Sequence, residues 1–200
     1  MVRYATLCLA LLGTVVLPGA EPNRDKVLGS LAAPVQIEVF SDFECPACKN
    51  FHERLLPVLM RDYVVPGKLC IIAREFPLNI PDHRFSRDVA NFAQASTRVG
   101  KYQQVADALF QNQMTWHSNG QYWSVIASVL SPTEQKKVQA LAKDPAVLGE
   151  VAGDVSAGNA VHINQTPTLI VRRGSRQYTF PGPGPDNYML LKSLIDGLLK

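Results

Sequence analysis

The sequence predicts an α/β fold: a central mixed β-sheet flanked by helices, with an inserted all-helical subdomain. Three observations predict it. Two β-rich runs, Val35–Ser41 and Lys68–Glu75, bracket one helical stretch. Two more, Thr168–Arg172 and Gln177–Phe180, precede a final amphipathic stretch. Between these units, residues 84 to about 160 carry only helical periodicity. A strand–helix–strand unit gives parallel pairing and a hairpin gives antiparallel pairing, so the joined sheet is mixed.

Residues 1–20 read as a secretory signal peptide. Arg3 supplies the positive start, Ala5 to Leu17 is almost wholly apolar, and Gly19-Ala20 precedes the polar Glu21-Pro22-Asn23-Arg24. The apolar run is short for a membrane span; the alternative is an uncleaved anchor. Residues 21–34 form a polar lead-in. Residues 35–83 hold the first part of the sheet, beginning with a buried strand over 35–41. A helix follows from Pro46 to about Asp62, its inner face set by Phe51, Leu55, Leu56, Leu59, Met60 and Tyr63. Pro57 should kink it near Glu53. Pro66-Gly67 turns the chain into the second strand, and residues 77–82 are a loop.

Three apolar stripes run through the helical insertion, residues 84–160. They are Val89, Phe92, Ala93 and Ser96; then Tyr102, Val105, Ala106, Leu109 and Phe110; then Tyr122, Trp123, Ile126, Ala127 and Leu130. Ser131-Pro132-Thr133-Glu134 is a capping-box start, and Asp144-Pro145 repeats the start signal. Residues 161–200 complete the sheet. Gly174-Ser175 turns one strand onto the next. The last helix should bury Met189, Leu190, Leu194, Ile195 and Leu198.

The chain has 200 residues, 46% apolar and 18% charged, with a net charge of +3. That composition is globular. Its basic residues are scattered, which gives nucleic-acid binding no support. Of the four cysteines, Cys8 leaves with the signal peptide. The remaining Cys45, Cys48 and Cys70 are odd in number, and Cys45 and Cys48 close too small a ring to be a useful staple. An exported protein with that pattern points to cysteine chemistry rather than scaffolding.

The chemistry resides in Phe43-Glu44-Cys45-Pro46-Ala47-Cys48, between a strand and a helix. Cys45 falls at the helix N-cap, and Pro46 suits the first helical position because it has no N–H to leave unsatisfied. A Cys45 thiolate can accept from the N–H groups of Ala47 and Cys48 and sits at the positive end of the helix dipole. Both effects lower its pKa. Cys48 lies one turn deeper and can displace whatever Cys45 captures. Zinc binding is the competing reading, but there is no second Cys-x-x-Cys, and His52, His83, His117 and His162 lack ligand spacing. No metal or organic cofactor is expected. Cys70 reads as a buried, inert thiol, and His52 and His83 as surface histidines by default.

Three segments together resemble the DsbA-like branch of the thioredoxin superfamily: VFSDFECPAC (39–48), REFPL (74–78) and INQTPTLIV (163–171). The resemblance runs from about Val35 to the C-terminus. It implies a thioredoxin fold and a redox-active disulfide Cys45–Cys48. It also implies that Pro167 is the family's cis-proline, and that Thr166 before it pairs with an extended substrate peptide. The implied activity is a periplasmic or otherwise extracytoplasmic protein disulfide oxidase, soluble after signal cleavage and monomeric. It would act on reduced or unfolded exported proteins and be re-oxidised by a quinone-linked membrane oxidase of the DsbB or vitamin K epoxide reductase type.

Departures from the family pattern temper this. The buried acid carried by many relatives six residues before the first cysteine is Val39 here, and Glu38 should face the other side of the strand. The dipeptide between the cysteines lacks the histidine of strong oxidants. Asp42 and Glu44 should oppose thiolate formation at Cys45, and His83 could approach the same face. A moderately oxidising protein is the expectation. A disulfide isomerase or reductase of the same superfamily is the nearest rival, and a non-catalytic peptide-binding holdase is the rival of a different class.

Overall fold

The computed structural model describes residues 23–182, 184 and 187–200. The expected signal peptide, its cleavage point and Cys8 lie outside them. After a 3-10 turn at Arg24–Lys26, the strands are β1 (Val27–Leu28), β2 (Val35–Ser41), β3 (Leu69–Glu75), β4 (Thr168–Arg173) and β5 (Arg176–Pro181). They form one sheet in the order β1-β3-β2-β4-β5. Only β2 and β3 are parallel, with Ile37 opposite Ile71 and Ser41 opposite Glu75. β4 runs antiparallel to β2, and β1 and β5 are antiparallel edges. The mixed sheet of the expectation is present. β1 is an addition: the lead-in is too polar to suggest a strand, but its two residues find the open edge of β3.

The helical connection from β2 to β3 is α1 (Pro46–Asn50), a π-type segment (Phe51–Leu55), α2 (Leu56–Leu59) and a second π-type segment (Met60–Val64). The expected kink is thus a widened turn. Pro57 lacks an N–H and its ring would strike the carbonyl of Glu53; a looser winding before it relieves both. Phe51, Leu55, Leu59 and Tyr63 are buried, while Leu56 and Met60 are only partly so.

The insertion comprises α3 (Ser86–Ser96), α4 (Tyr102–Gln111), α5 (Gln113–Asn119), α6 (Tyr122–Ala127), α7 (Pro132–Leu141) and α8 (Pro145–Ala160). The capping box forms in full: Ser131 Oγ accepts from Glu134 N, and Glu134 accepts from Ser131 N. Asp144 caps α8 through Ala146 N. The apolar stripes join in one core around Val89, Val105, Leu109, Trp116 and Ile126, with Trp116 fully buried and its indole N–H donating to Leu109 O at 2.7 Å. Phe92, Tyr122 and Trp123 cover this core from its rim.

A second core fills the other side of the sheet face, where Val35, Ile37, Val39, Leu69 and Ile71 meet the helical connection and α9 (Tyr188–Leu199). In α9 the buried stripe is Leu191, Ile195 and Leu198, whereas Met189 and Leu190 are exposed at 68% and 66%. The expected inner face was therefore rotated. Spacings of four and three from Leu191 fix the contact with the sheet, and Met189 and Leu190 fall outside that stripe. On the opposite sheet face Phe40 and Phe76 pack edge to face, 6.0 Å apart. Gly158 of α8 lies against both: a Cβ there would be 2.5 Å from Phe76 and 3.2 Å from Phe40.

Candidate active site

Cys45 and Cys48 sit where the helical subdomain meets the end of β2, inside the same apolar core as Phe43, Val89 and Leu109. Cys45 is the N-cap of α1, in extended backbone, and Pro46 opens the helix. Pro46 and Ala47 are exposed, Cys45 is 7% exposed and Cys48 is sealed at 0%. Neither cysteine is in a disulfide in this structure.

The two thiols are electrostatically unlike. Cys45 is lowered from 9.0 to about 6, first by the hydrogen bond from the Cys48 thiol. Burial opposes the shift, while Thr166 and the amides of Cys48 and Ala47 add to it. The sulfur makes no full cap hydrogen bond in the thiol form; the amides act on the anion. Cys48 is pushed well above its ordinary value by burial, by its hydrogen bond to Cys45 and by the Cys45 charge. Asp42 N donates to Cys48 Sγ at 3.4 Å.

The Thr166–Pro167 bond is cis, and both residues are buried. The Cys45 thiol donates to Thr166 O at 3.3 Å. Thr166 Oγ1 is buried and has no hydrogen-bond partner among the described residues, and it stabilises the Cys45 anion. β4 begins at Thr168, so the sheet itself carries this loop to the cysteine.

Asp42 and Glu44 are buried, and neither is left bare. Asp42 accepts from Glu44 N, Leu78 N, Ser86 Oγ (2.5 Å) and the ring of His83 (2.7 Å to Nδ1). Glu44 accepts from Phe85 N, lies 2.9 Å from the same Ser86 Oγ, whose single proton the two carboxylates share, and pairs with His117 Nδ1 at 3.0 Å. The expected opposition to the thiolate is thus offset by two imidazoles and a shared hydroxyl. His83 is no surface histidine: its side chain is 8% exposed, and the Asp42 hydrogen bond raises its pKa. His52 is also not simply solvated. It pairs with Asp107 at 2.7 Å and lies on Phe110. Glu38 does face away from the cysteines, where it pairs with Arg74 and Arg172. Cys70 is buried, and burial raises its thiol pKa.

Sequence reasoning missed Gln113. Its side chain is buried at 1% and donates to Phe43 O at 2.7 Å and to Cys45 O at 3.0 Å. It ties α5 to the cysteine loop. Nothing local singles it out, because it follows Gln111 and Asn112 in a polar run. His117, Ser86 and Phe85 N were equally invisible, because their partners are some 40 to 70 residues away in the chain.

A family model described as Thioredoxin matches residues 22–180. A Na(+)/H(+) antiporter NhaA 1 of Mycolicibacterium vanbaalenii is 30% identical over 159 residues, 80% of this chain and 25% of that protein. A Rickettsia typhi protein named "Putative protein-disulfide oxidoreductase RT0103" is 25% identical over 154 residues, 74% of this chain and 55% of that protein. The chain thus spans a quarter to about half the length of these relatives. Among solved structures, Wolbachia pipientis α-DsbA1 superposes with a TM-score of 0.69 at 20% identity, covering 87% of this chain and 90% of that one. Oxidised BdbD of Bacillus subtilis gives 0.68 at 23%, covering 87% and 92%. Both likenesses establish the shared fold.

Proposed function

This chain belongs to the thioredoxin family, and we propose that it is a DsbA-like thiol–disulfide oxidoreductase that introduces disulfides into reduced or unfolding exported proteins. The observation that carries this reading is the asymmetry of the pair: a Cys45 that keeps a small exposed edge and whose anion forms near neutral pH, backed by a fully sealed Cys48 whose anion does not. A thiolate of a substrate attacks Cys45 of the disulfide form. The Cys45–Cys48 bond breaks, a bond from Cys45 to the substrate sulfur forms, and the electron pair goes to Cys48. A second substrate thiolate then attacks the substrate sulfur, and Cys45 leaves as a stabilised thiolate. A more stable leaving thiolate makes the disulfide a better oxidant. Thr166 and Pro167 hold the substrate chain beside Cys45, in the manner of strand addition.

The likeness to the antiporters covers a quarter of their length and carries no transport activity across. Among the described residues no helix is long and apolar enough to cross a membrane. Re-oxidation falls to a membrane oxidase of the DsbB or vitamin K epoxide reductase type, in the periplasm or a like compartment.

The test is refolding of reduced and of scrambled ribonuclease by the wild type and by Cys45→Ser and Cys48→Ser variants. Activity on the reduced substrate that is lost in Cys45→Ser supports the oxidase. Recovery only from scrambled substrate assigns isomerase instead. Unimpaired folding assistance by a Cys45→Ala, Cys48→Ala double variant assigns a holdase.

A further inference from the structure

The carbonyl end of α4 abuts the cysteine loop. The Phe110 ring lies 4.9 Å from that of Phe43, and just beyond the helix Gln113 donates to Phe43 O and Cys45 O. An α-helix ends in four carbonyl groups that have no partner within the helix, and together they carry about half a negative charge. Such an end beside the cysteine loop opposes an anion at Cys45.

Each of the four carbonyl groups is met. Ala108 O accepts from Asn112 N at 3.1 Å and from Asn112 Nδ2 at 2.9 Å. Leu109 O accepts from the Trp116 indole at 2.7 Å. Phe110 O and Gln111 O both accept from Lys49 Nζ, at 2.6 and 3.3 Å. Of these donors only Lys49 carries a charge, and only Lys49 comes from outside the insertion. It stands on α1 directly after Cys48, so its side chain joins the cysteine helix to α4 across 61 residues of sequence. That side chain is 23% exposed, and among the described residues its carboxylate partner is Glu53, one turn on, at 2.5 Å. The other charges along this contact are matched without it. His52 holds Asp107 of α4 at 2.7 Å, and Asp42 and Glu44 are held by His83 and His117.

We propose that Lys49 is a positioning residue for the exchange reaction, its ammonium group closing the carbonyl end of α4 so that this end does not oppose the Cys45 anion. The inference rests on Cys45 being the exchanging sulfur. A cation at a helix C-terminus bonds the last carbonyl groups and offsets the helix dipole there. Cys45 leaves each completed exchange as a thiolate, and a less stable leaving thiolate makes the disulfide a weaker oxidant. Lys49 therefore helps to set the oxidising strength of the pair through α4. It also fixes the elbow between α4 and α5 from which Gln113 reaches the cysteine loop.

The test compares Lys49→Met, which keeps the apolar stem and removes the charge, with Lys49→Arg, which restores the charge, in the full chain. Thiolate absorbance gives the Cys45 midpoint. Equilibration with reduced and oxidised glutathione above that midpoint gives the oxidising strength. Lys49→Met should raise the midpoint by about half a pH unit and move the glutathione equilibrium about threefold towards the protein disulfide. Lys49→Arg should return both towards the wild type. Glu53→Gln removes the carboxylate that competes for Lys49 and should lower the midpoint; it decides the matter if Lys49→Met does not fold. A lost packing contact alone would lower the melting temperature and leave the midpoint in place. A folded Lys49→Met or Glu53→Gln protein with the wild-type midpoint and glutathione equilibrium overturns the proposal, as does a Lys49→Arg protein that matches Lys49→Met. A wild type that forms no Cys45 thiolate near neutral pH, or exchanges nothing with glutathione, would instead overturn the reading of the cysteine pair.

Discussion

The Cys45 thiol and the Thr166 carbonyl oxygen meet at 3.3 Å across 121 residues of sequence. Among the described residues the Thr166 hydroxyl beside them has no competing partner, and its stabilising effect is directed at the Cys45 anion. Thr166→Val keeps the shape and deletes that donor. The Cys45 titration midpoint should then rise by on the order of one pH unit, the worth of one hydrogen bond to a charge. Thiolate ultraviolet absorbance against pH measures it; an unmoved midpoint would leave the hydroxyl without this role.

The depressed Cys45 value also makes the dithiol form sensitive to acid. A thiol whose folded pKa lies below its unfolded value stabilises the folded protein fully above pH 9, the unfolded value. That contribution shrinks through the window down to about 6 and is gone below it. Urea midpoints of the dithiol protein should therefore fall between pH 9 and 6 by more than those of Cys45→Ala. Parallel curves would contradict the shift.

His83 works in the opposite sense. Its pKa is raised, first by the Asp42 hydrogen bond, so its contribution is complete below its ordinary value of 6.5. It is lost as pH rises through the folded value. The Cys45 charge is among the causes, and such coupling is mutual. His83→Gln should remove that loss of stability on the alkaline side and raise the Cys45 midpoint. Denaturation at two pH values and the same thiolate titration test both halves.

Gln113 holds two carbonyl groups of the cysteine loop. Its replacement by Ala leaves Phe43 O and Cys45 O buried without this donor, at a cost of about 1–3 kcal/mol. Thermal unfolding should show that loss, and glutathione exchange should slow because the loop is freed from α5. Ser131→Ala is a matched control. It removes the α7 cap, costs about 1 kcal/mol, and should leave exchange unchanged.

Local patterning made the sheet, the helical insertion and the cysteine motif legible. Period-two and helical spacings declare themselves within a dozen residues, and Pro46 and Ser131 mark helix starts directly. What stayed hidden depends on distant partners. Asp42 and Glu44 looked like adverse charges because nothing near them in sequence announces His83, Ser86 or His117. Lys26 looked like part of a polar lead-in, yet it is buried against Glu75 and Asp154. In α9 apolar residues lie on more than one side of the helix, and docking on the sheet selected Leu191, Ile195 and Leu198 rather than the expected Met189 and Leu190.

Gly158 is a spacer on which a remote linkage depends. Were it any larger, α8 would press on the two rings beneath it, both of them buried. The same helix carries Asp154 one turn earlier, and Asp154 clasps Lys26 and Arg74 and the amide of Glu75. A single added methyl group would thus be felt first not as lost packing but as a loosened grip on the cations at the end of β3.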